Sequence, residues 1–408
     1  MTLNVCIIGL GYVGIPLLHA ILEETSYNIH GFDVSQDKIN SLNSSSLPES
    51  LRQYDNIFEY TERISFSSNI PSDKKFDVFV VCVPTPITVE GVPDLTFVES
   101  AFQSISLVDY HGSLISLEST VYPGATREIS SKFLDLDNCI LCFSPEREDP
   151  GNPNYTIKSI PKLVSSHESN YLPKVKEFYS SFVDTVVPVS SLEIAELSKL
   201  LENTQRSVNI SLMNELKQYV SLLDLDIFEV VNAASTKPFG FTPYYPGPGI
   251  GGHCIPVDPT YLSWAAKKVG HTLNFIEQSS QVNAELPRFI KSTILEKLAL
   301  RNTLPSDVHA CFVGLTYKKN IEDTRSSPSS VIINDLKNLF LSYSILDPFV
   351  PSALSSIEQV LVNSRSKKIV SIILTDHDSI DYNRLESISE LIFDSRGRFS
   401  SSDNIFRI

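Results

Sequence analysis

Near its start the chain runs Leu3-Asn4-Val5-Cys6-Ile7-Ile8-Gly9-Leu10-Gly11-Tyr12-Val13-Gly14, an apolar run that ends in a G-x-G-x-x-G turn. The run suits a strand buried on both faces. Helical spacing follows over Ile15–Glu24, then a second strand over Tyr27–Phe32, then Asp33, 19 residues after Gly14. In this setting the first glycine permits the tight turn, the second lets backbone approach a pyrophosphate, and the third lets helix and strand pack closely. The helix N-terminus offers unpaired N–H groups to the phosphates. A carboxylate after the second strand accepts hydrogen bonds from ribose hydroxyls and repels a 2′-phosphate. NAD is therefore the expected cofactor, held by Gly9, Gly11, Gly14 and Asp33. An ordinary βαβ turn is the alternative, and the placement of Asp33 weighs against it.

Further strand candidates lie at Val78–Val83, Ser113–Leu117, Ile140–Phe143 and Lys162–Val164, with helical patterns at Thr96–Ile105 and Asn170–Phe182. Alternating strands and helices indicate a doubly wound α/β domain. From about Ser190 the pattern changes. Ile194, Leu197, Leu201, Val208, Leu212 and Leu216 recur at helical spacing without a breaker. A helix of about thirty residues spans roughly 45 Å, longer than one small domain uses for packing. It reads as a connector and a candidate dimer surface. Strand signals return at Asp307–Gly314, Ser342–Leu346, Ile369–Leu374 and Leu391–Phe393, and Ser41–Ser46 reads as a loop. The expected fold is α/β, with two Rossmann-like doubly wound domains joined by a long central helix. Its regions are 1–189, 190–300 and 301–408.

The chain holds 48 acidic against 33 basic residues, a formal net charge of −15. Nucleic acid and anionic membranes, which need a basic footprint, are poor partners for it. No run approaches the ~18 apolar residues of a membrane span, and no charged signal-peptide start is present. Four of the six cysteines sit in apolar runs as small buried hydrophobes, and the Cys139/Cys142 pair reads as buried thiols rather than a redox motif. A reduced, soluble, cytoplasmic protein is expected.

Glycine is scarce, 16 of 408 residues, and eight of them fall within Gly9–Gly14 and Gly240–Gly252. The second cluster leads into Cys254: Pro246-Gly247-Pro248-Gly249-Ile250-Gly251-Gly252-His253-Cys254-Ile255-Pro256-Val257-Asp258-Pro259. A thiol on a tight glycine loop just ahead of a helix start has little steric cover and is placed to act as a nucleophilic thiolate. Asp258 could orient a water or a base. A structural turn with an incidental cysteine is the alternative. No metal is expected, because no second ligand pair completes a tetrahedral set with these neighbours. On the long helix, Lys199, Asn203 and Arg206 share one face at i, i+4, i+7 spacing. They form either a solvated stripe or a set of donors aimed where negative charge develops.

Together these segments resemble the UDP-glucose/GDP-mannose dehydrogenases over nearly the whole chain. The resemblance is carried by GLGYVG at Gly9, VPTP at Val83, STVYPGAT at Ser119, SPER at Ser144, AELSKLLENT at Ala195, PGPGIGGHCIPVDP at Pro246 and GLTYKKNIEDTRSSP at Gly314. The stretch TKPFGFTPYYPGPGIGGHCIPVDPTYL is most similar to the UDP-N-acetylhexosamine branch. UDP-N-acetylglucosamine is thus the expected substrate, with UDP-N-acetylmannosamine and UDP-glucose as alternatives. A non-catalytic NAD-binding scaffold is the rival from another class.

The resemblance implies oxidation of the sugar C6 alcohol to a carboxylate with two NAD+ and one water. Cys254 matches the covalent nucleophile and Lys199 the lysine that stabilises oxyanions, with Asn203 beside it. Glu146 and Asp258 match the acid/base carboxylates, and Thr120 a threonine near the water and the nicotinamide. Tyr12, Val13, Asp33, Thr85 and Arg325 match cofactor contacts, with Lys38 at the adenosine. Lys318 and Arg396 match contacts to the sugar nucleotide, and Arg147, Glu148, Arg206, Tyr244 and Gly251 complete that pocket. Tyr244 is equally placed for a core role. Where some relatives carry His or Arg before the glycine loop, this chain has Lys237-Pro238-Phe239. His253 is read as shaping the loop. A homodimer through the long helix, and supply of a uronic-acid precursor for capsule or O-antigen polysaccharide, are further implications.

Overall fold

The computed structural model describes residues 2–148, 154–252 and 254–408. His253 lies outside them. Two compact units form, one running to Glu202 and resuming over Thr260–His271, the other taking Asn203–Pro259 and Thr272–Ile408. The helical stretch of the middle region contributes to both.

The first unit is built on six parallel strands, β1 (Asn4–Ile8), β2 (Asn28–Phe32), β3 (Ile64–Ser67), β4 (Val78–Val81), β5 (Leu114–Leu117) and β6 (Ile140–Phe143). Their order is β3-β2-β1-β4-β5-β6, the doubly wound order of dinucleotide-binding sheets. Helices α1 (Gly14–Glu24), α2 (Gln36–Asn43), α3 (Thr96–Ser106) and α4 (Ala125–Ser130) lie in the crossovers, and α5 (Leu172–Ser180) joins β7 (Lys162–Val164) to β8 (Val186–Pro188), which pair separately. Helix α1 buries Ile15, Leu17, Leu18, Ile21 and Leu22 in the cluster that holds Val5, Ile7, Val78 and Val80. Two departures from expectation are local. Strand β3 is half-buried and carries no apolar run to announce it. The serine tract begins inside α2, because the Ser35 hydroxyl caps that helix and the Ser41 hydroxyl bonds back to the Asp37 carbonyl.

The 30-residue α6 (Leu192–Ser221) begins in the first unit and ends in the second. Helices α7 (Ile227–Ser235), α8 (Asp258–Lys268) and α9 (Asn274–Leu300) follow. The second unit's sheet is parallel throughout: β9 (His309–Val313), β10 (Ser342–Leu346), β11 (Ile369–Ile373), β12 (Ser389–Asp394) and β13 (Ile405–Arg407), in the order β10-β9-β11-β12-β13. Helices α10 (Pro328–Leu336), α11 (Ile357–Ser364) and α12 (Tyr382–Ile388) complete it. Alternation along the strands divides its core into two layers. Leu286, Ile290, Ile294 and Leu298, spaced every fourth residue on α9, share one layer with Ala310, Phe312, Val370 and Ile372. Cys311, Val313, Ile369 and Ile373 pack in the other with Val360 and Leu385. Among the described residues no helix is long and apolar enough to cross a membrane.

The two units share one turn. Gly9 takes φ +93° with its missing Cβ position 2.6 Å from the Cys82 carbonyl oxygen, and the Leu10 N–H donates to Asp33 at 3.0 Å. Gly314 takes φ +88° against Thr375, and the Leu315 N–H donates to Asp347 at 2.7 Å. In each unit a glycine in the left-handed region lets the chain leave the first strand flush against the end of a neighbouring one.

A buried ion pair knits the first unit's strand ends. Lys162 Nζ lies 2.5 Å from Glu118 Oε2, the two side chains being 8% and 1% exposed. The Tyr179 hydroxyl donates to the other Glu118 oxygen at 2.8 Å, and Lys162 also donates to the Pro145 carbonyl at 3.1 Å. Lys162→Met should strand a buried carboxylate and cost about 3–5 kcal/mol, whereas the double variant Glu118→Gln/Lys162→Met should cost clearly less. Urea-unfolding midpoints of the two variants measure the difference.

Candidate active site

The predicted site residues fall into two sets, one in each unit. In the first unit, the turn after β1 uses its glycines differently. A Cβ on Gly14 would strike the Gly9 carbonyl, so that position serves helix packing. A Cβ on Gly11 would meet nothing within 4 Å, so its bare backbone faces open space suited to a pyrophosphate. Asp33, 8% exposed, accepts from the N–H groups of Leu10 and Ser35 (both 3.0 Å) and from Lys38 Nζ at 2.5 Å. Burial alone would raise its pKa. The Lys38 ammonium and the two N–H donors outweigh burial and hold the carboxyl below its usual range. Lys38 is thus fastened to Asp33. The turn, its helix N-terminus and the ionised Asp33 fit a dinucleotide.

The other predicted contacts of this unit line the strand ends. The Thr85 carbonyl accepts from the Tyr261 hydroxyl at 3.0 Å, and the Ser119 hydroxyl, next to half-buried Thr120, donates to the Val83 carbonyl at 2.7 Å. Tyr12 is 39% exposed, with its hydroxyl 3.2 Å from Ser50, and Val13 is half-buried. Lys199 on α6 is 6% exposed and donates to the Glu146 carbonyl at 2.5 Å and to the Glu146 carboxylate at 3.3 Å. The face read as a possible solvated stripe is therefore buried here, with its ammonium set on a carboxylate. Arg147 makes a fork with Glu202 (2.7 and 3.2 Å) and donates to the Pro161 carbonyl at 2.6 Å. Burial, followed by the charge of Glu146, pushes the Glu148 carboxyl up to about 8.

In the second unit, Asn203 donates to Asp258 at 2.6 Å; the two residues are 8% and 2% exposed. Asp258 opens α8, and its N–H and that of Val257 donate to the Cys254 carbonyl at 2.9 and 3.1 Å. This tight turn leaves the Cys254 thiol half-buried. Cys6, Cys82, Cys139, Cys142 and Cys311 are buried, and burial raises each of their pKa values, to about 11 for Cys139 and about 12 for Cys142 and Cys311. The glycine loop is locked from behind. Gly251 and Gly252 sit flush on Tyr317, and the Gly252 N–H donates to the Arg325 carbonyl at 3.1 Å. Arg325 forks onto Asp323, with contacts from 2.6 to 3.1 Å. Arg396 donates to the carbonyls of Leu374 (2.7 Å) and Tyr317 (3.4 Å), and Lys318 is half-buried on the same segment as Tyr317.

Tyr244 and Arg206 are less enclosed than Lys199, Asn203 and Asp258. Tyr244 packs with Met213, Val220 and Phe228, the core role left open for it, and Arg206 is exposed. Sequence reasoning missed Glu118, Lys162, Glu202 and Glu196, the last of which receives the N–H groups of Gly124 and Thr126 at the start of α4 (2.6 and 2.9 Å). A lysine opening the apolar β7 was the available signal for a buried pair. Glu196 and Glu202 carried none, since their partners are distant in sequence.

Comparison with known proteins shows the family. Family models for the UDP-glucose/GDP-mannose dehydrogenase family match residues 3–183 (NAD binding domain), 193–285 (central domain) and 311–401 (UDP binding domain). Protein CapL of Staphylococcus aureus is 33% identical, covering 99% of this chain and 98% of its own. A UDP-N-acetyl-D-glucosamine 6-dehydrogenase of Pseudomonas aeruginosa is 33% identical over 85% of this chain and 83% of its own. A solved UDP-D-ManNAc dehydrogenase from Pyrococcus horikoshii superposes with a TM-score of 0.89 at 26% identity, covering 99% and 98% of the two chains.

Asp33→Asn keeps the shape of the ribose acceptor and removes its charge. NADH affinity should fall on the order of tenfold to a hundredfold, the worth of hydrogen bonds to a charged group, and discrimination against NADPH should narrow. Fluorescence titration with both nucleotides checks this.

Proposed function

Because the chain belongs to the UDP-glucose/GDP-mannose dehydrogenase family, as an NAD-dependent UDP-sugar dehydrogenase of its UDP-N-acetylhexosamine group, we propose that it oxidises C6 of UDP-N-acetylglucosamine to the uronic acid. Cys254 holds the sugar between two oxidations. The observation that carries this reading is the contrast among the thiols: five are buried and held in the protonated form, and the half-buried one sits on the glycine loop four residues before Asp258. Bound NAD+ supplies the hydride acceptor, twice per turnover.

The chain's own residues perform the remaining steps. Lys199, set on Glu146, stabilises negative charge on the C6 oxygen as its proton and the first hydride leave, giving an aldehyde. The Cys254 thiolate adds to the aldehyde carbon, and the oxygen takes a proton to give a thiohemiacetal. Loss of that proton and of a second hydride leaves a thioester. Glu146 and Asp258 take protons from the attacking water as the C–S bond breaks. The carboxylate departs and the thiolate is restored. Asn203 keeps Asp258 oriented for this, and Thr120 stands beside the water.

The homodimer belongs to the same proposal. Ile194, Leu197, Leu201, Leu212 and Leu216 are 37–59% exposed along α6, an apolar stripe that a second copy would cover. Leu201→Asp should shift the sedimentation coefficient to that of a monomer. Free thiols throughout suit a reducing compartment, and we place the enzyme in the cytoplasm, supplying an activated uronic acid for surface polysaccharide.

Released NADH and the sugar products, measured over a panel of UDP- and GDP-sugars, test the substrate. Two NADH per UDP-N-acetylglucosamine is the expected result; preference for UDP-N-acetylmannosamine would reassign the sugar. Cys254→Ser should stop carboxylate formation, and full turnover by that variant would overturn the covalent route.

A further inference from the structure

The second unit buries a lysine that the reaction does not use. Lys217, near the end of α6, is 4% exposed, and its Nζ has no hydrogen-bond partner among the described residues. Buried polar groups are nearly always paired, so a bare amine here needs a reason. Its charged neighbours are Asp394 and Arg396, and one end of the glycine loop is fastened to the same helix. Three residues earlier on the same face of α6, Asn214 accepts the Gly247 N–H at 3.1 Å and donates to Asn283 on α9 at 3.0 Å. Against Gly247 lies Arg396, whose Nη1 is 2.9 Å from the position a Cβ would take there. A buried amine and a half-buried guanidinium therefore lie near one another, and the guanidinium rests against Gly247.

The charges around Lys217 do not settle it. Burial acts first, disfavouring the ammonium; Asp394 on β12 attracts it and Arg396 repels it, leaving the amine at a pKa of about 7. Asp394 is already committed to the N–H groups of Arg396, Gly397 and Phe399 (2.8, 3.0 and 2.8 Å), and Arg407 on β13 faces it as well. Asp376 and Tyr382 face Arg396. The neighbours contributed by α6 and α9, Asn214 and Asn283, are neutral. Asp394 is thus shared between backbone donors and more than one cation, and it makes no hydrogen bond to Lys217.

We propose that Lys217 is a positioning residue that takes up one proton from solvent when the diphosphate of a nucleotide sugar docks at Arg396 and the glycine loop. This rests on the UDP-sugar reading above and adds a pH dependence that belongs to binding rather than to chemistry. The sign is fixed by linkage. The bound anion raises the pKa of Lys217, so affinity rises as pH falls through the bound value and levels off below the free value of about 7. One proton limits the slope to about tenfold per pH unit.

The test is calorimetric binding of UDP-N-acetylglucosamine to the full chain without NAD+, at pH 6.5, 7.5 and 8.5, in buffers of different ionisation enthalpy. The diphosphate diester carries no proton that titrates in this window. Wild type should take up a fraction of a proton at pH 7.5 and bind several-fold tighter there than at pH 8.5. Lys217→Met should take up none and bind at all three pH values about as wild type does at its highest. Its melting temperature should equal or exceed that of wild type, since an apolar group replaces an unsatisfied amine. Lys217→Arg, permanently charged, should bind with a flat profile. Binding without proton uptake in wild type, or a wild-type pH profile in Lys217→Met, overturns the proposal alone. Absence of binding by folded wild type at every pH overturns the substrate reading and the proposal with it.

Discussion

One helix supplies buried polar residues to each of the two units. Along α6, Glu196, Lys199, Asn203, Asn214 and Lys217 recur at steps of three, four and eleven residues, which keep them on one face, and all are buried. A buried polar group must find a partner, and here most partners are loops. Glu196 receives the start of α4, Lys199 the segment carrying Glu146, Asn203 the start of α8 beside Cys254, and Asn214 the backbone of Gly247. Because an unmade hydrogen bond at such depth costs about 1–3 kcal/mol, each loop is fixed to its own turn of the helix.

The same helix explains an inversion in what could be read from the sequence. Apolar periodicity picked out Ile194, Leu197, Leu201, Leu212 and Leu216, which in an ordinary helix would face the core. In this chain they are exposed, while the polar positions Lys199 and Asn203 are buried together with Leu192, Ala195, Leu200, Met213 and Val220. The period was legible and the length was legible. Which face turns inward depends on partners far away in sequence, such as Asp258 for Asn203 and Glu146 for Lys199. Fork contacts such as Arg147 to Glu202, and the Glu118–Lys162 pair, escaped for the same reason.

The paired turns show where a motif stops being the fold and becomes a site. Gly9 and Gly314 adopt the same left-handed geometry, and each following N–H reaches a carboxylate at the end of the adjacent strand. The first was legible because Gly11 and Gly14 accompany it. The second lacks those glycines. Its carboxylate, Asp347, is fully buried and also takes the N–H of Thr316 (3.1 Å) and an imidazole nitrogen of His377 at 3.1 Å. The geometry of the turn serves the sheet in both units. The open backbone at Gly11, beside the ionised Asp33, is what suits the first turn to a ligand.

Charge follows a similar division between holding and binding. The chain is acidic overall, with a net charge of −15, yet both of its inferred ligands are anions. The cations at hand are mostly neutralised in place: Lys38 by Asp33, Lys199 by Glu146, Arg147 by Glu202 and Arg325 by Asp323. A paired cation fixes geometry but projects little potential, so it contributes to affinity only as far as the ligand's anion competes with the resident carboxylate. Backbone N–H groups at the N-terminus of α1 carry no such counter-charge. A binding site assembled from paired side chains and bare amides tells ligands apart by shape and hydrogen-bond placement more than by net charge. That is what an acidic enzyme for two different anionic nucleotides requires.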